Sequence, residues 1–402
     1  MSENRISQRR GKIAPYWYVI VAFFSISLIL YIYHVSTGFT PDRVAISVLE
    51  FNVYWYGIII TFGIAVGAFV VADLARNRAR ELFYRAVPAR IRDRELQELK
   101  LPAQLAKTLQ ANGLKDLGTV LMRWSFGPAS LGLNEEGHAL LKKKLLAQSG
   151  VKRSWLDDAP WRQWNPEHVW NGLLWCLILA VIGARLYHVF TPSPSMAEVG
   201  INSPADYFRN PTQLFNLRGG GLGIYGGIAG GALGLLLFSY RQRISALKWA
   251  DVAVIGVALG QFIGRWGNFF NQELYGRPTS VPWAVRIEPP YRLTEYTDFS
   301  RFHPAFLYES LWNLLAFVLL LALWQRYRHR LYTGDIMASY LILYGIGRIL
   351  METVRLDSRT VMLGALDIGL PVATLVSILV AIVMLAWILW RHRRKATVSH
   401  AG

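Results

Sequence analysis

The sequence predicts an all-α polytopic membrane protein, a bundle of about eight transmembrane helices with a small helical cytoplasmic insert. Three observations predict it. Of the 402 residues, 53% are hydrophobic and 15 are Trp, and the mean hydropathy is +0.27, more apolar and aromatic surface than a soluble domain of ordinary composition carries. Apolar runs of membrane-crossing length recur along the chain. The formal net charge of +17 comes from short basic runs beside those stretches, which is the positive-inside arrangement rather than a nucleic-acid surface. No nucleic-acid partner is therefore expected.

In order, the spans are expected at residues 16–37, 53–74, 169–190, 219–240, 249–270, 304–324, 336–351 and 368–390, the seventh being the shortest. A basic stretch (Arg5, Arg9, Arg10, Lys12) precedes the first span. That span reads as a retained anchor, because it has the roughly 20 residues a bilayer needs and no small-x-small cleavage site follows it. Basic residues follow every second span: Arg76, Arg78 and Arg80; Arg241 and Arg243; Arg326, Arg328 and Arg330; Arg391, Arg393, Arg394 and Lys395. Even-numbered spans are thus expected to end in the cytoplasm with both chain termini, and loops 38–52, 191–218, 271–303 and 352–367 to face outward.

Residues 76–168 break the pattern, being long, charged and without a spanning run. They are expected to form a cytoplasmic insert with helices within 101–114 and 135–146 and turns at 127–128 and 157–160. Attraction to anionic inner-leaflet lipid is expected to account for the insert's basic balance, the alternative being a dedicated partner-binding role. The single cysteine, Cys176, lies inside the apolar run 173–181, so one chain can build no disulfide framework or cysteine metal site, and it reads as a small core hydrophobe.

With that orientation, most intramembrane polar residues fall in one layer near the outer ends of the spans. Tyr56 opens span two, Arg185 lies near the end of span three, and Tyr225 about two turns into span four. Arg265 and Asn268 close span five, His303 and Glu309 open span six, and Tyr344, Arg348 and Glu352 close span seven. Arginine at membrane depth is costly and at an outer end runs against the positive-inside rule. Snorkelling explains one such residue. Three arginines at the depth of a glutamate and an asparagine point to an anionic ligand, and the guanidinium fork matches the phosphate of a phospholipid headgroup. The spacing of four, four and three between Tyr344, Arg348, Glu352 and Arg355 is expected to put them on one helical face. The glycine run 219–231 contains a dinucleotide-loop spacing, but no strand precedes it. In an apolar span, small residues four apart instead permit close helix packing, and a second reading is an unwound half-helix whose free amides face phosphate.

The stretch Gly264-Arg265-Trp266-Gly267-Asn268-Phe269-Phe270-Asn271-Gln272-Glu273-Leu274-Tyr275-Gly276 resembles the signature of the prolipoprotein diacylglyceryl transferase family. Trp55-Tyr56-Gly57, Gly183-Ala184-Arg185-Leu186, His303-Pro304-Ala305-Phe306-Leu307-Tyr308-Glu309 and Tyr344-Gly345-Ile346-Gly347-Arg348, with Glu352 and Arg355, match further motifs in the family's order. The resemblance implies transfer of a diacylglyceryl group from phosphatidylglycerol to the lipobox cysteine of a prolipoprotein signal peptide, with release of glycerol phosphate. It implies no cofactor and no metal, membrane lipid as a partner, and the bacterial cytoplasmic (inner) membrane as location. The catalytic candidates are Arg265, Arg348, Tyr225, Glu273 and Tyr344. The substrate-binding candidates are Arg265, Asn268, Asn271, Gly276, Tyr56, Arg185, His303 and Glu352.

Three departures stand out. Tyr225 occupies a position where many family members carry histidine, residues 16–37 form an extra first span, and the insert 76–168 is long. The expected organisation is thus a cytoplasmic N-terminus (1–15), the extra helix, a second helix (53–74), the insert, a catalytic core of six helices (169–390) and a basic tail (391–402). A transporter would usually place its site near the midplane with repeat symmetry, and a headgroup phosphotransferase would need a nucleophile or an acidic metal cluster. The sequence displays none of these.

Overall fold

The structure is a computed structural model that describes residues 13–49, 51–192, 196–197, 200–216, 221–356, 360–363 and 366–400. The N-terminal basic stretch and the first two glycines of the run, Gly219 and Gly220, lie outside them. Eight long helices stand among the described residues: α1 (Pro15–Thr37), α2 (Trp55–Ala86), α3 (Glu167–Phe190), α4 (Ile224–Gln242), α5 (Ala246–Asn271), α6 (Ala305–Tyr327), α7 (Asp335–Glu352) and α8 (Val372–His400). Six of these are long and apolar enough to cross a membrane. The other two are α4, diluted by glycine, and α7, which carries Asp335, Arg348 and Glu352 within 18 residues. The chain is an all-α, multi-pass membrane protein, and its only strands among the described residues are three short antiparallel pairs: β1 (Val44–Val48) with β2 (Phe51–Tyr54), β3 (Val285–Arg286) with β4 (Arg301–Phe302), and β5 (Thr360–Leu363) with β6 (Leu366–Pro371).

Two compact units divide the chain. The first, Ala72–Ala246, holds the end of α2, a group of short helices, α3 and α4. Two short helices form at Ala103–Ala111 and Glu135–Leu146, where leucines three to four residues apart leave a buried stripe: Leu105 and Leu109, then Leu141 and Leu145. Asn134 caps the second by accepting from the Gly137 N–H at 2.9 Å. The glycine run packs α4 against α3. A Cβ at Gly226 or Gly230 would overlap the carbonyl oxygen of Gly183 or Leu179, and one at Gly234 would stand 2.7 Å from Cys176 Cα. Side-chain-free contact along this seam gains the van der Waals packing that drives helix association where lipid supplies no hydrophobic contrast. Before α4, Gly223 is extended, so the described part of the run, from Gly221, enters the helix as non-helical chain.

The second unit, Ile13–Val71 with Leu247–Gly402, holds α1, the start of α2 and α5 to α8. Here the seam is reciprocal: Gly63 and Gly67 of α2 face Gly260 and Gly256 of α5, and a Cβ at Gly67 would meet the Gly256 oxygen at 2.5 Å. Next to it Tyr31 of α1 sits among Trp266, Phe269 and Phe306, with ring centroids 5.7–6.3 Å away. At the start of α7, Asp251 of α5 accepts from the N–H groups of Gly334 (2.6 Å) and Met337 (2.9 Å), and Asp335 meets His392 of α8 at 2.7 Å. Buried carboxylates thereby satisfy backbone donors at the helix N-terminus and dock α7 against α5 and α8.

Candidate active site

The signature stretch folds as the last turns of α5 and a tight turn. Gln272 (φ 51°) and Leu274 (φ 53°), on either side of Glu273, are both left-handed, a conformation costly for residues with a Cβ. The turn directs Glu273 back at its own helix. The Glu273 N–H donates to Asn268 O at 3.1 Å, while Glu273 Oε1 accepts from Asn268 Nδ2 at 2.8 Å and Asn271 Nδ2 at 3.3 Å. Asn268 is 5% exposed, so this carboxylate has its neutral donors in a largely dehydrated place, where hydrogen bonds to an anion are strongest.

Gly276 follows the turn. Its N–H donates to His303 O at 2.8 Å, and the next N–H, of Arg277, donates to Val354 O at 2.8 Å. A Cβ at Gly276 would stand 2.5 Å from Val354 O and 2.9 Å from His303 Cβ, so only glycine lets the signature close against the ends of α6 and α7. Tyr56, at the start of α2, covers Gly267, whose Cβ would lie 2.9 Å from the ring. Beside them opens a cavity of about 860 Å³ lined by Tyr56, Asn271, Arg43, Asn52, Phe51 and Ile58.

Arginines gather against two glutamates. Arg265 Nε lies 2.5 Å from Glu309 Oε2, Arg355 Nη1 3.5 Å from Glu309 Oε1, and Arg348 Nη2 3.5 Å from Glu352 Oε2. Glu309 therefore joins α5 to the chain beyond α7. Hydrogen-bonding capacity is left unused here: Arg348 Nη1 and Glu352 Oε1 are buried and make no hydrogen bond among the described residues. Unused buried donors and acceptors of this kind are rare in a settled core and mark a place able to receive a polar ligand. Tyr344 packs near Tyr340 (6.1 Å), whose hydroxyl donates to Gln261 of α5 at 3.1 Å. His303 precedes α6, with Nδ1 3.1 Å from the Tyr308 hydroxyl.

Two sequence readings, the depth of Tyr225 and the helical face of Arg355, need revision. Tyr225 lies in the first turn of α4 rather than two turns in, because helix begins only at Ile224, and it is 62% exposed beside Tyr187 at 5.7 Å. Arg355 is not on the helical face of Arg348 and Glu352, because α7 ends at Glu352 and Arg355 bridges to Gly276 in extended chain. Arg185 belongs to the first compact unit and donates to three backbone carbonyls: Leu214 (3.0 Å), Gly221 (2.9 Å) and Gln213. Arg265, Arg348, Asn268, Asn271, Glu273, Gly276, Tyr56, Tyr344, His303 and Glu352 all lie in the second unit, while Tyr225 falls with Arg185 in the first. Sequence reasoning missed Arg43, which donates to Asn271 O at 2.8 Å and stacks 3.6 Å from the Tyr291 ring centroid. Its only signal was a basic residue in a loop expected to face outward, a signal shared by Arg277, Arg286, Arg292 and Arg301.

Comparison with known proteins identifies the family. The family model described as prolipoprotein diacylglyceryl transferase matches residues 139–390. A Chloroflexus aggregans protein named phosphatidylglycerol–prolipoprotein diacylglyceryl transferase is 40% identical over 248 residues, covering 58% of this chain and 78% of that protein. Relatives of the same name are 37% identical over 73% of this chain and 95% of theirs in Trichormus variabilis, and 39% identical over 59% and 82% in Thermosynechococcus vestitus. With its signature turn closed around Glu273 and its arginines drawn to one end of α5 to α7, the chain belongs to the prolipoprotein diacylglyceryl transferase family of membrane enzymes.

Proposed function

We propose that this protein transfers the diacylglyceryl group of phosphatidylglycerol to the lipobox cysteine thiol of prolipoprotein signal peptides, at the outer face of the bacterial cytoplasmic membrane. Both chain termini and the insert 76–168 then lie in the cytoplasm, and loop 271–303 lies outside. The observation that carries the reading is the set of Arg265, Arg348 and Arg355 held by Glu309 and Glu352 in the unit that also carries the cavity lined by Tyr56 and Asn271.

In the reaction the substrate sulfur bonds to the terminal glyceryl carbon as that carbon's bond to the phosphate oxygen breaks. The products are a thioether and glycerol phosphate. Negative charge builds on the departing oxygen, where Arg265 and Arg348 stabilise it in a site of low dielectric. A thiol of pKa about 8.5 must first lose its proton. The positive field favours the thiolate, and Glu273 or His303 relays the proton. Glu273 suits that part because Asn268 and Asn271 fix Oε1, which leaves Oε2 to take the proton. Tyr225 is retained as a candidate proton carrier: Tyr225→Phe with full activity removes it, and loss on replacing Glu273 alone points there instead.

The test incubates the purified protein in phosphatidylglycerol-containing detergent micelles with a synthetic lipobox peptide, followed by mass spectrometry. A diacylglyceryl mass on the cysteine, absent with Arg265→Ala, is expected. An unmodified peptide with the protein shown folded overturns the reading and returns the site to an anion transporter.

A further inference from the structure

The additional helix α1 makes contacts that a membrane anchor does not need. Its last turns reach the loop that follows the signature, and they do so through two buried side chains. His34 is 0% exposed. Its Nε2 accepts the Arg286 backbone N–H at 3.0 Å, so the ring proton sits on Nδ1, which donates to Phe39 O at 2.9 Å and lies 3.0 Å from Thr40 Oγ1. One turn earlier, the Tyr31 hydroxyl donates to Trp283 O at 2.7 Å.

Both contacts lead to the site by short routes. Arg286 of β3 pairs with Arg301 of β4, and two residues later His303 O receives the Gly276 N–H. Trp283 Nε1 donates to the Tyr308 hydroxyl at 2.9 Å, and that hydroxyl lies 3.1 Å from His303 Nδ1. A third tie, from Glu288 N–H to Gln272 Oε1 at 2.8 Å, joins the same loop to the turn that aims Glu273. The loop is therefore strung between α1 and the signature, and residues 15–37 lie outside the part of the chain that the family model matches.

We infer that α1 is a positioning helix for the reaction, with His34 its positioning residue: by holding Arg286 it fixes the loop that sets Gly276, His303 and the Glu273 turn. The inference rests on the transferase reading above. The reasoning is geometric, since a displacement of about 1 Å remote from the chemistry can cost up to about 10²-fold in rate. Gln at position 34 keeps an acceptor near Nε2, whereas Asn reaches only the Nδ1 side.

The test measures kcat and KM for peptide lipidation, together with melting temperature, for the full-length wild type, His34→Gln, His34→Asn and Tyr31→Phe. We expect kcat to fall about tenfold in His34→Asn with KM within about twofold, a recovery to within about twofold of wild type in His34→Gln, and a smaller kcat loss in Tyr31→Phe, which keeps the ring packing. Equal kcat in all four proteins overturns the inference. So does a kcat loss that follows melting temperature alike in Gln and Asn, since that is packing alone. Should His34→Asn fail to fold, Tyr31→Phe decides, by a kcat loss at unchanged melting or by none. An inactive wild type instead overturns the transferase reading, which keeps the two failures distinguishable.

Discussion

Arg185 and Arg265 are both arginines on apolar helices near a helix end, yet they spend their charge differently. Arg185 donates to the carbonyls of Leu214, Gly221 and Gln213, neutral acceptors supplied by its own unit. Arg265, with Arg348 and Arg355, instead faces Glu309 and Glu352. A guanidinium held by carbonyls rivets a loop. One held by a carboxylate is neutralised at rest and can exchange that partner for a phosphate of like geometry. Counting arginines thus finds both residues, and only their partners separate the two arrangements.

The largest expected effect tests the ligand-binding side. Arg265→Ala should lower the lipidation rate about 10²- to 10³-fold, the range for removing one donor from a developing oxyanion, with little change in melting temperature. The mirror-image test is Arg185→Met. Hydrogen bonds from a charged donor contribute about 1.5–3 kcal/mol each, so the melting temperature should fall clearly while the rate per folded molecule is kept. Loss of rate at unchanged melting would break the comparison and support the substrate-binding role expected of Arg185 from the sequence.

Glu309→Gln sharpens the contrast further. It removes the counter-charge shared by Arg265 and Arg355 but keeps the side-chain volume, and a rate loss of about tenfold is expected from disordering the arginines, read by steady-state lipidation kinetics. The smallest effect concerns His138 in the first unit, which stacks on Trp124 at 3.8 Å. Burial, aided by Lys142, holds its pKa below the ordinary 6.5. The neutral form is favoured on folding, so the stability this residue contributes is fully present above about pH 6.5 and is lost as pH falls toward the lowered folded value. His138→Gln should flatten that acid limb of the melting curve while leaving the pH–rate profile unmoved.

Much of this was legible in the sequence because lipid imposes strong rules on it. The apolar runs located all eight long helices, but two helices outrun their hydropathy: α2 continues to Ala86 through Arg76, Arg78 and Arg80, and α8 continues to His400 past residue 390, since backbone hydrogen bonding does not require an apolar side chain. The glycines four residues apart spoke truly of close packing. What stayed hidden depends on chain reversal. Arg355 looked like the next residue on a helical face, but the helix had ended. Nothing local announced that Gln272 and Leu274 would turn left-handed, or that a loop residue as ordinary as Arg286 would offer its N–H to a histidine some 250 positions earlier.

The left-handed pair around Glu273 also has an evolutionary consequence. Glycine at the exposed position 274 would remove a conformational cost of about 1–2 kcal/mol, so a search for heat tolerance alone should find that substitution attractive, whereas glycine at 272 would also forfeit the bond to Glu288 N–H. Such a search would then select for a looser turn and a wandering Glu273, giving up speed for durability. Stabilised forms of this enzyme are best sought in libraries that leave positions 272 and 274 untouched.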